Sequence, residues 1–157
     1  MNDSFILRDR KWRETNERVT LSSYAMLSEE SKGRFKKEDQ DPFRTVFERD
    51  RDRIIHSKTF RRLKHKTQVF INPDGDHFIT RMTHTLNVTQ IGRSIAKTLG
   101  LNPDLTEAIC LGHDVGHSPF GHTGEEVLND MLDGGWSHSE NSVKMLSIIE
   151  PLNLTKE

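Results

Sequence analysis

From Thr80 onward the apolar residues fall into a helical rhythm. His84, Val88, Ile91, Ile95 and Leu99 recur at steps of three and four and stop at Gly100, the stripe of an amphipathic helix closed by a glycine. This register predicts His84 on the inward face. Asp104 and Glu107 then form a D-x-x-E capping box, opening a helix with Leu105, Ala108 and Ile109 on its buried side. His113 lies one turn beyond Ile109 and His117 one turn further, so both are expected to face the interior. Pro119 is read as the end of that helix. Thr123, with Glu126 three residues later, opens a third helix that Gly134 and Gly135 close, and Ser137 with Glu140 opens a fourth over "NSVKMLSII". Glu126 thereby has a structural task, and Glu125 does not. Four or five helices with minor strand content predict an all-α domain.

The first part of the chain is less regular. "SEESKGRFKKEDQDP" (28–42) offers Phe35 as its one sizeable apolar residue, too little to order itself by burial, and is read as a loop. Residues 1–42 are therefore taken as an amino-terminal segment with a flexible loop, and 43–157 as the domain. "FRTVFERDRDRIIHSKTFRRLKHKTQVFI" is expected to be mostly helical until the β-branched "TQVFI". Pro73 and Asp74-Gly75 then allow a short β-hairpin with "HFIT". Over 157 residues, 32% are hydrophobic and 30% charged, the latter above the roughly 25% usual for a globular domain. Part of the chain should be irregular or completed by another surface. The net charge of -1 selects no partner. The basic run of Arg51, Arg53, Lys58, Arg61, Arg62, Lys64 and Lys66 could track polyphosphate or single-stranded nucleic acid, or be a solvated helix face paired with Glu48, Asp50 and Asp52. Cys110 is the single cysteine; it excludes an internal disulfide, suits a reducing compartment and reads as helix filler rather than a nucleophile. With neither an apolar run of about 20 residues nor a signal-peptide core, no membrane association is expected and the cytoplasm is the default.

"CLGHDVGHSPFGHTGEE" (110–126) crowds His113, Asp114, His117, His122 and Glu125 together. A lone histidine on an apolar helix face is more often a hydrogen-bonded core residue than a ligand, and His-Asp pairs arise by chance. Convergence alters the balance: His84 faces inward from one helix and the His113-Asp114 pair from the next. Burying several ionisable groups together is costly unless they pair or bind a cation. A divalent metal would resolve that cost. Imidazole and carboxylate donors suit manganese, iron, magnesium or zinc, and the lack of a cysteine ligand argues against a structural zinc site.

"RMTHTLNV" followed by "LGHDVGHSPFGHTGEE" resembles the HD-domain metal phosphohydrolases. The longer run "FERDRDRIIHSKTFRRLKHKTQVF" with "GDHFITRMTHT" is similar to the bacterial deoxyguanosine triphosphate triphosphohydrolase-like proteins, from about Leu21 to the carboxyl terminus. The resemblance implies an all-α, metal-dependent, usually oligomeric enzyme. It would cleave a deoxynucleoside triphosphate to the deoxynucleoside and triphosphate, water attacking the α-phosphorus. By position, His84, His113 and Asp114 match metal ligands, and His122 with Glu125 the pair proposed for acid-base work on the leaving 5'-oxygen. His117 and His138 match further histidines around the phosphates, Arg81 a phosphate-contacting arginine, and Gln68 a residue reading the sugar 3'-hydroxyl. Taken without the resemblance, His122 could be a helix-start residue, Glu125 a first-turn carboxylate favoured by the helix dipole, His117 and His138 surface histidines, and Arg81 and Gln68 solvated or structural residues. The resemblance adds subunit contacts and effector sites as a third reading of the basic run. It also implies a second aspartate ligand on a later helix. The chain stops at "PLNLTKE", and Asp130 and Asp133 lie too near the His-Asp pair to match it. The expectation is an amino-terminal portion of a longer protein or a shortened relative, with weakened metal binding and impaired activity. Two alternatives remain: a non-catalytic nucleotide-binding or assembly fragment, and an HD phosphodiesterase or 5'-nucleotidase.

Overall fold

The computed structural model describes residues 7–66 and 79–157. Gln68 and most of the expected hairpin lie outside these residues. Within them the chain is all-α, as expected: α1 (Arg10–Thr20), α2 (Val46–His56), α3 (Lys58–Arg62), α4 (Arg81–Leu99), α5 (Pro103–Gly112), α6 (Gly121–Met131) and α7 (His138–Lys144). Short 3-10 turns occupy Ser28–Glu30 and Leu63–His65, and a π turn extends α7 over Met145–Ile149. Among the described residues the extended pairing is an isolated antiparallel bridge between Arg34 and Thr155.

α5 is the organising element, packed against both α2 and α4. Its Ala108 and Leu111, with Val115 just beyond, join Ile54 of α2, Phe60, Leu63 and Leu146 in one apolar cluster. Removing these side chains from water supplies the main driving force. The basic stretch forms α2 and α3 as expected. Thr45 and Glu48 start α2 with a reciprocal capping box, while the Glu150 carboxylate accepts from the Lys58 and Thr59 amides at the start of α3. The pairing of the basic residues differs in detail from expectation. Arg51 does pair with Asp52, and also with Asp104, but Glu48 takes Arg13, Asp50 takes Arg34, and Arg53 takes Glu38. Lys66 is half-buried, and its ammonium donates to the Val115 and His117 carbonyls at 3.2 and 2.8 Å.

Beyond the 3-10 turn at Ser28–Glu30, the 28–42 stretch is irregular, as read, and is held by polar contacts. Arg34 donates to Asp50, to the Asn153 carbonyl and to the Val46 carbonyl, and Asn153 exchanges hydrogen bonds with Lys36. Ion pairs thus stand where apolar side chains are lacking.

Several local expectations are corrected. α4 forms where the rhythm placed it, but Ile91, Ile95 and Leu99 are exposed, and the buried positions are Arg81, Thr85, Thr89 and Ala96. Close approach explains the rotation: a Cβ on Gly92 would lie 2.7 Å from the Cys110 sulfur, so the α4 face toward α5 admits only small residues. Ile109 is likewise exposed. α5 is capped by Asn102, which accepts from the Asp104 and Leu105 amides, with Pro103 in the first turn; Asp104 is inside the helix. α5 ends at Gly112, well before Pro119, so His117 sits in a turn and not on a helix. α6 begins behind Phe120, which is in the left-handed region at φ 67°, and not at a Thr123 cap. Ser137 makes no capping bond to α7; the Glu125 carboxylate accepts from the His138 amide instead.

Candidate metal centre

The expected convergence occurs. His84 from α4, His113 at the end of α5 and Asp114 just after it offer one ligand atom each within 4.8 Å of one another. The His84 and His113 rings are 5.7 Å apart, and His113 Nε2 lies 3.8 Å from Asp114 Oδ1. His113 is half-buried, not fully interior as the periodicity implied. Its Nδ1 lies 2.7 Å from the Cys110 carbonyl. A carbonyl can only accept, so Nδ1 carries the proton and Nε2 is left as a lone-pair donor facing the aspartate; a hydrogen bond from the far ring nitrogen fixes the orientation of a metal-binding imidazole in this way. Asp114 is 3% exposed; its other oxygen accepts from the Arg81 guanidinium at 3.0 Å. Two imidazoles and a carboxylate in this disposition fit a divalent cation.

A second group adjoins it. His117, His122, Glu125 and His138 also bring four ligand atoms within 4.8 Å. The His117 and His138 rings stack at 4.7 Å, and His122 meets His117 edge-on at 5.1 Å. Glu125 is the hub: His122 Nδ1 donates to it at 3.2 Å, and the His138 amide and Nδ1 each at 2.9 Å. Burial would raise the Glu125 carboxyl, yet these hydrogen bonds outweigh it and hold the pKa down to about 2. His117 is 3% exposed with no hydrogen-bond partner at either ring nitrogen. Burial, reinforced by the Arg81 cation, lowers its pKa to about 4, so the ring is neutral at pH 7. Arg81 links the two groups, bonded to Asp114 and acting electrostatically on His117.

The turn between the groups is clamped by residues outside the expected site. Gly116 donates to Ser142 Oγ at 2.9 Å, Asn141 donates to the Gly116 carbonyl at 2.6 Å, and Ser142 Oγ donates to the His113 carbonyl at 2.9 Å. A Cβ on Gly116 would overlap the Ser142 amide nitrogen; only glycine lets the turn lie this close to α7. Lys66 clamps the same turn from the other chain direction. Burial, with Arg62 and Arg81 nearby, pulls its ammonium below its usual range despite Asp114. The glycine between the two histidines was the visible signal for this clamp; Asn141 and Ser142 carried none.

Residues 81–154 match the HD domain family, the segment that contains both groups. The chain is 62% identical over 141 residues to a deoxyguanosinetriphosphate triphosphohydrolase-like protein of Caldanaerobacter subterraneus subsp. tengcongensis, covering 87% of this chain and 42% of that protein. A protein of the same name from Clostridium tetani is 59% identical over 152 residues, covering 94% and 44% respectively. The chain thus spans about two-fifths of the length of the curated relatives it matches. With its His-Asp pair on a clamped turn and this similarity along most of its length, the chain belongs to the HD-domain family, among the deoxyguanosinetriphosphate triphosphohydrolase-like proteins.

Proposed function

We propose that this chain carries metal-binding and phosphate-facing residues of an HD hydrolase that converts deoxynucleoside triphosphates, dGTP among them, to the deoxynucleoside and triphosphate. The observation supporting this most directly is the juxtaposition of two donor groups across one clamped turn, His84/His113/Asp114 beside His117/His122/Glu125/His138. In the first group His84, His113 and Asp114 hold the cation, manganese, magnesium, iron or zinc by donor chemistry. A cation bound there supplies charge neutralisation and Lewis acidity toward phosphate oxygens.

The chain's own residues account for the remaining tasks. Arg81 and the imidazoles of His117 and His138 receive the polyphosphate, with Arg81 held in place by Asp114. Glu125 accepts from His122 Nδ1, which turns Nε2 outward. As water attacks the α-phosphorus and the bond to the 5'-oxygen breaks, His122 gives that oxygen its proton. Gln68 is assigned to the sugar 3'-hydroxyl on the family resemblance alone. The same resemblance supports a homo-oligomer. Among the described residues no helix is long and apolar enough to cross a membrane.

The test is incubation of the protein with each deoxynucleoside triphosphate and manganese, followed by identification of the phosphate product. Inorganic triphosphate is expected, and His113→Ala should abolish it. Orthophosphate or a monophosphate would indicate a nucleotidase or phosphodiesterase instead. Nucleotide binding without turnover would indicate a binding or assembly fragment.

A further inference from the structure

The second donor group has a composition that proton transfer alone does not require. It consists of three imidazoles and one carboxylate, each offering an atom within 4.8 Å of the others. His117 is the informative member: it is 3% exposed, and neither ring nitrogen meets a partner. Its ring stacks on His138 and abuts His122, so this unpartnered imidazole is aimed into the group. Glu125 orients the other two histidines through their Nδ1 atoms, which leaves both Nε2 atoms available as donors. Tetrahedral zinc with bonds of about 2.0 Å needs donor atoms roughly 3.3 Å apart, a closure that side-chain rotation can supply. His122 is 78% exposed and gives an ion a route in.

We propose that His117, His122, Glu125 and His138 form a second cation site, separate from the His84/His113/Asp114 group, that takes zinc or another borderline divalent ion. The donor set, three nitrogens and one oxygen without sulfur, favours zinc, cobalt or nickel over magnesium or calcium. The charge of the surroundings is compatible: Arg81, the cation that acts on the His117 ring, is paired with Asp114, the Lys66 ammonium is spent on the Val115 and His117 carbonyls, and Glu125 brings a negative charge to the ion itself. The two groups share no residue, so both can fill at once. Occupation would take the lone pair of His122 and the carboxylate of Glu125 away from proton transfer. The second site is therefore inhibitory, a consequence that rests on the hydrolase reading, whereas the binding does not.

The test uses the metal-free protein and zinc alone, with bound metal measured after equilibrium dialysis and cobalt(II) absorption as a reporter of tetrahedral coordination. Two zinc ions per chain are expected. His122→Ala, at an exposed position that leaves folding intact, and His138→Gln should each remove one ion and the tetrahedral cobalt bands. His113→Ala should remove the other ion and leave those bands. A protein that binds one ion lost on His113→Ala, or two that both survive His122→Ala and His138→Gln, would overturn the proposal. A protein that is inactive with manganese in the absence of zinc, yet shows the cobalt bands when loaded with cobalt, ends the hydrolase reading and leaves the second site standing; one that is active with manganese and binds a single zinc ion does the reverse.

Discussion

In the first donor group, His113 and Asp114 are each positioned by something that is not itself a donor. His113 is oriented by the Cys110 carbonyl and Asp114 by Arg81, and the turn that carries them is fastened by Ser142, Asn141 and Lys66. In the second group the donors position one another, because Glu125 holds both His122 and His138 and caps α7 as well. The first is part of the fold. The second is a rim held by one carboxylate, open to solvent at His122. Changes in the first group should therefore register in stability and ion binding together, and changes in the second should separate them.

Asp114→Ala should have the largest effect. It removes a buried partner from Arg81 as well as a ligand, and breaking a buried ion pair by deleting one side costs about 3 to 5 kcal/mol. Denaturant unfolding would measure the loss. Asp114→Asn keeps an acceptor for the guanidinium and should lose much less stability while still weakening ion binding. If both variants unfold alike, the pair is not what holds the turn.

Gly116→Ala comes next. The added methyl would overlap the Ser142 backbone, and forcing such a contact costs roughly 1 to 3 kcal/mol. Because the same turn bears both groups, zinc stoichiometry and thermal midpoint should fall together. A variant with an unchanged midpoint would show that α7 moves away freely and that the clamp is slack.

These contacts also mark where the sequence was legible. Helix α4 and the meeting of His84 with His113 and Asp114 followed from spacing, since an i, i+4 rhythm survives any tertiary context. The choice of buried face did not. Ile91, Ile95 and Leu99 outweigh Thr85, Thr89 and Ala96 on any hydrophobic scale, yet the close approach of α5 at Gly92 selects small residues over apolar ones. The cap of α5 was readable from Asn102-Pro103, a better signal than the Asp104 box. By contrast, α6 starts behind a left-handed Phe120 and α7 is capped by a carboxylate thirteen residues away. Such caps are set by tertiary contact and leave no local pattern.

Glu125→Ala probes the rim. It deletes the external cap of α7, and losing a helix cap costs about 1 to 2 kcal/mol. The Glu125 pKa is lowered from 4.5 to about 2 in the folded chain. Its stabilisation is thus fully present above 4.5 and is lost as pH falls from there through 2. Acid unfolding of Glu125→Gln should be correspondingly flatter over that window than the unsubstituted protein's. Identical acid profiles would mean that the carboxylate contributes nothing to the rim.

His122→Ala should alter stability least. The side chain is 78% exposed and hydrogen-bonds to Glu125, so the change should stay within about 0.5 kcal/mol, as for most surface positions. Glu125 keeps its two bonds from His138, so α7 remains capped and the first group is untouched. Under the hydrolase reading, loss of a positioned proton donor lowers turnover by about 10² to 10⁴, with KM for the nucleotide little changed. A large fall in activity at an unchanged melting temperature would separate rim from framework. A parallel fall in both would mean that His122 supports the fold and that the second group is built into the framework as firmly as the first.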